Sequence, residues 1–105
     1  MTFIINNEKW KIKEVKQYEF WEYEKKEQDG GYYQGQIHYN KNEIWLDVDL
    51  PKDKKKKTLY HELMHCYINT HISNYDFDLT EDIICDISAN SHDIIHQIAK
   101  DYFKE

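Results

Sequence analysis

The stretch from Thr58 to Tyr67, T-L-Y-H-E-L-M-H-C-Y, constrains the fold more than any other part of the chain. On a helix, Leu59, Leu63 and Cys66 form one apolar stripe and Tyr60, Met64 and Tyr67 a second. Most of the circumference is then apolar, and the helix has to be buried. What remains is a narrow strip holding His61, Glu62 and His65, and burying such groups is costly unless something pairs them. Histidines four apart stand one turn above each other, so both imidazoles can reach a single zinc ion from one face. Glu62 sits about 100° round the helix, beside the ion. From there it can act as general base, then general acid, on a zinc-bound water whose pKa has dropped to roughly 7.

The 105 residues allow one domain, residues 1–105, with a modest core. A formal charge of −6 argues against a nucleic-acid binder. Every cationic side chain of the Lys/Arg class is Lys, so the forked phosphate contacts of Arg are missing as well. No run approaches the ~20 apolar residues of a membrane span. The start, Met1 to Asn7, has neither the basic region nor the apolar run of a secretory signal, and the expected location is cytoplasmic. Abundant Lys, Asn and Ile without Arg suggest an AT-rich genome. Cys66 and Cys85 read as small buried hydrophobes ahead of a disulfide or thiolate ligands.

Thr2 to Asn6 is β-like, and Lys9 to Val15 alternates Trp10 and Ile12 against lysines as a half-exposed strand does. From Lys16 to Asp29 the aromatic residues Tyr18, Phe20, Trp21 and Tyr23 among many charges fit a short helix or an extended segment equally. They serve core packing or the lining of a substrate groove. Gly30, Gly31 and Gly35 punctuate the chain. Gln34 to Tyr39 and Glu43 to Leu50 then form a hairpin about Asn40-Lys41-Asn42, with Ile44, Leu46, Val48 and Leu50 inward and Trp45, Asp47 and Asp49 on the other face. Asp47 and Asp49 are expected in solvent. Pro51 ends the strand and Asp53 is a plausible helix cap. Four cations, Lys54 to Lys57, oppose the dipole at a helix N-terminus, so the helix is expected to begin nearer Thr58, with the lysines in a solvated loop.

Three places offer a third zinc ligand. His71 completes the metzincin spacing H-E-x-x-H-x-x-x-x-x-H, but Ile68 stands where that pattern needs Gly, and on an unbroken helix His71 lies about 240° from His65. Glu81 or Asp82 opens a second helix whose apolar stripe runs through Ile83, Ile84, Ile87, Ile94, Ile95 and Ile98 toward Tyr102. Either acid also complements that helix's dipole without any metal. Asp86 could accept a hydrogen bond from a ligand histidine. His92 and His96 form another pair four apart, without a glutamate after the first; both fit the polar side of the last helix.

Taken together, the H-E-L-M-H helix, the strand-like Ile44-Trp45-Leu46-Asp47 before it and Glu81-Asp82-Ile83-Ile84-Cys85-Asp86 after it resemble the compact ImmA/IrrE-type zinc peptidases, of the gluzincin kind, found in bacteria and on phages and mobile elements. The resemblance covers roughly Gly35 to the C-terminus. It implies a minimal zincin-like α+β fold, with a short antiparallel sheet packed against the H-E-x-x-H helix and a second, C-terminal helix. It further implies zinc held by His61, His65 and an acid of the second helix. In the family frame that acid falls at Asp82, while Glu81 has the family's side chain one residue early. The expected activity is hydrolysis of a peptide bond in a protein or peptide, with Glu62 as base. Tyr60, Tyr67 and His71 are nearby candidates to steady the oxyanion. The alternative is a non-catalytic interaction module with a structural zinc closed by Cys85 or His71.

Overall fold

The computed structural model describes residues 1–24, 32–71 and 93–104. Two hairpins start the construction. Strand β1 (Thr2–Ile5) pairs antiparallel with β2 (Glu8–Val15). Asn6 and Asn7 between them both have positive φ, 47° and 65°, the backbone twist that a two-residue hairpin loop requires. Strand β3 (Gly35–His38) pairs antiparallel with β4 (Glu43–Asp47), and Asn42, at φ 53°, closes the connection. The hairpins join through β2 and β4, which run parallel, with Lys11 opposite Glu43 and Val15 opposite Asp47. The sheet is therefore mixed, in the order β1-β2-β4-β3, where an antiparallel sheet was expected.

Helix α1 (Gln17–Glu24) follows β2, α2 (Lys52–His71) follows β4, and α3 spans residues 93–103. One sheet face carries Phe3, Ile5, Trp10, Ile12, Ile44 and Leu46, which pack with Leu59, Leu63 and Cys66 of α2 and Ile95, Ile98 and Ala99 of α3. Leu59 and Leu63 are fully buried, as the apolar stripe predicts, each gaining about 2 kcal/mol from leaving water. The opposite face is covered too. Phe20 of α1 lies over Val15 and Trp45, with Tyr23 and Tyr33 beside them. Trp45 is buried for that reason, and Asp47, expected in solvent, is only 1 % exposed. Its carboxylate is not bare: Tyr32 Oη donates to it at 2.5 Å and the Asp49 amide at 3.0 Å.

The lysine run is helical, contrary to expectation. The Lys55 amide donates to the Pro51 carbonyl at 2.9 Å, closing the first turn of α2. Asp53 is then an acid within that turn and opposes the lysine charges at the helix dipole. Lys55 swings back to β2, with Nζ 2.5 Å from Glu14. Glu14 also accepts from Tyr102 of α3, so one carboxylate ties the sheet to both helices. Burial pushes its pKa up, but these two hydrogen bonds and the Lys55 charge together outweigh burial and hold it below the usual value.

Candidate functional site

The polar strip of α2 faces the start of β3. Between them lies a cavity of about 370 Å³, lined on one side by Tyr32 to Gly35 and on the other by Lys57, Thr58, His61 and Glu62. Gly35 lets the two elements meet: a Cβ there would stand 2.6 Å from Thr58 Cγ2 and 3.0 Å from the Trp45 carbonyl oxygen. The wall before β3 is fastened from behind. The Gln17 side-chain amide donates to the Tyr33 carbonyl at 2.7 Å and accepts from the Tyr33 amide at 3.1 Å, while the Tyr33 ring stacks on Phe20. Tyr32 is fastened by its bond to Asp47, which raises the phenol's pKa.

His61 and His65 do share a face of α2, as their spacing predicts. Their Nε2 atoms are 3.1 Å apart, one ring donating to the other, with the planes nearly perpendicular at 79°. Glu62 is 8 % exposed. Burial alone pushes its carboxyl up to about 7, with no hydrogen bond or cation offsetting it.

The zinc expectation is overturned here. Among the described residues no group of three or more His, Cys, Asp or Glu side chains is arranged to hold a metal ion, and two imidazoles do not make a site. With it go the zinc-dependent peptidase, the role of Glu62 as base to a zinc-bound water, and the alternative of a structural zinc. Glu81 and Asp82, the expected third ligands, lie outside the described residues, together with Cys85, Asp86 and His92. His96 bonds through Nδ1 to Tyr60 Oη at 2.7 Å, between α2 and α3. Tyr60 therefore points toward α3, and Tyr67 packs against the main core. Among the described residues no helix is long and apolar enough to cross a membrane.

Sequence reasoning found the α2 half of the cavity and missed the half made by Tyr32 to Gly35. Its one available signal was Gly35, a glycine within a strand pattern, which marks a close backbone approach. Compared with known proteins, the chain matches no family model, no curated protein and no solved structure.

Proposed function

We propose that this chain is a protein-interaction module that takes an extended segment of a partner protein along the outer edge of β3, beside the cavity. One observation carries the reading. In an antiparallel ladder each residue turns its N–H and C=O to the same side, and the side alternates along the strand. The Asp47 amide donates to the Gln34 carbonyl, so Gln34, Gln36 and His38 turn toward β4. Gly35 and Ile37 turn their backbone groups the other way, and among the described residues no strand pairs with that edge. An open edge next to a pocket is the arrangement by which main-chain bonds supply affinity and a side-chain pocket supplies selectivity.

The scaffold belongs to the same proposal: a zincin-like domain of the ImmA/IrrE kind, used for binding. Its support is the H-E-x-x-H helix packed against a sheet whose edge strand borders the cavity. A cytoplasmic setting is also part of it, supported by Cys66, a buried free thiol. The test is selection of short displayed peptides on the immobilised chain, followed by hydrogen exchange of the complex. Bound peptides should slow exchange at the Gly35 and Ile37 amides, and Ile37→Pro, which removes one outward donor, should abolish binding while circular dichroism stays unchanged. Peptides that bind without protecting either amide would refute strand addition.

A further inference from the structure

Resting on that reading, we infer that the cavity between β3 and α2 is a subsite for a cationic side chain, a lysine or arginine of the bound segment, whose charged head meets the Glu62 carboxylate. Glu62 is more than nine-tenths buried yet lines the cavity, so the cavity is the route by which a ligand reaches it. Among the described residues neither a cation nor a hydrogen-bond donor is paired with its carboxylate. An incoming cation would therefore displace no existing partner and would pair with a carboxylate that is 8 % exposed and opens onto the cavity. His61, the neighbouring lining group, has its Nε2 engaged by His65.

The walls suit a long stem with a charged tip. Tyr32 and Tyr33 line the cavity, both held in place, Tyr32 by Asp47 and Tyr33 by Gln17 and Phe20. Methylene stems lie well against the amphipathic surface of tyrosine, here that of the exposed Tyr32. An acidic side chain would meet Glu62 as a like charge, and an aliphatic one would leave the carboxylate buried and unpaired. Lys57 is an exposed like charge beside a bound cation. It should weaken binding without preventing it, so its removal has a sign opposite to removal of Glu62.

The test uses the full chain and blocked single amino acids, the N-acetyl methylamides of lysine, arginine, norleucine and glutamate, followed by amide shifts in NMR titrations. The lysine and arginine probes should move the Gly35, Thr58 and Glu62 signals, and the norleucine and glutamate probes should not. Glu62→Gln should weaken the lysine probe by about tenfold or more, and Lys57→Ala should tighten it by about twofold. Equal binding of the lysine and norleucine probes, or an unchanged affinity in Glu62→Gln, would overturn the subsite. Strand addition would survive that result, because protection of the Gly35 and Ile37 amides reads it separately. Lysine-selective binding supports the subsite even where peptide complexes give no such protection, a result that overturns strand addition alone.

Discussion

Replacing Glu62 by Gln should make the protein more stable, by an amount that grows above about pH 4.5 and is complete above about pH 7. Burial raises the folded-state pKa from the ordinary 4.5 to about 7. Between those values the folded chain keeps a proton that the unfolded chain has lost, so stability falls as pH rises through this window and the full penalty is present above pH 7. The difference of about 2.5 units, at 1.36 kcal/mol each, gives about 3 kcal/mol. Glutamine keeps the shape without the charge, although its amide still loses water, which leaves a net gain of about 2 kcal/mol. Urea unfolding at pH 8.5 and at pH 4 reads the difference directly. With a slope of about 2 kcal/mol/M, the midpoint of Glu62→Gln should rise by roughly 1 M at pH 8.5, and that gain should be absent at pH 4. An unchanged or lower midpoint at pH 8.5 would show that the folded protein already satisfies the Glu62 carboxylate, and the reasoning from an unpaired buried acid would fail.

Gly35→Ala should cost about 2 kcal/mol in urea unfolding, because the new Cβ meets Thr58 Cγ2 and the Trp45 carbonyl. Adding Thr58→Ser, which removes that Cγ2, should recover part of the loss; no recovery would place the strain elsewhere. Phe20→Ala, at a fully buried position over Val15 and Trp45, should destabilise by about 3–4 kcal/mol and raise solvent access to Trp45, read by fluorescence quenching. Glu14→Gln should cost about 1 kcal/mol at pH 7 by weakening the ties to Lys55 and Tyr102. Because the Glu14 pKa is lowered on folding, that contribution is present above the unfolded pKa and fades as pH falls through the folded one, so parent and variant should converge in acid.

The buried helix was legible because its evidence is local. Leu59, Leu63 and Cys66 repeat at helical spacing, and all three are fully buried. Strand alternation placed Trp10, Ile12, Ile44 and Leu46 in the core for the same reason. Trp45 and Asp47 went wrong because alternation says which residues share a face, never whether the second face is covered. The cover is α1, and its aromatic residues among charges carry no clear period. The start of α2 was set too late because the unfavourable dipole of four lysines was weighed without Asp53 inside the first turn and Glu14 across on β2. Half of the site was legible as His61 and Glu62. The other half depends on where α1 fixes Tyr33 and on a close approach at Gly35, both tertiary facts. The zinc expectation failed at its one non-local step, since a spacing of four places two imidazoles together and says nothing of a third group.

The parallel pairing of β2 with β4 divides the sheet along a seam. On either side is a hairpin that closes locally, Ile5 opposite Glu8 and His38 opposite Glu43. Across the seam, Lys11 meets Glu43, 32 positions further along the chain. Closing a loop of that length costs about 1.6 kcal/mol more in chain entropy than closing the five-residue span of the β3-β4 hairpin. The hairpins can therefore form in microseconds, while the seam has to wait until burial of Ile12 against Ile44 repays the longer closure. Folding rate should accordingly respond more to Ile12→Val or Ile44→Val than to changes at the Asn6-Asn7 turn, and stopped-flow refolding would reveal a rate governed instead by the turn. Built this way, the β3 edge proposed for binding lies on the hairpin across the seam from the N-terminal one.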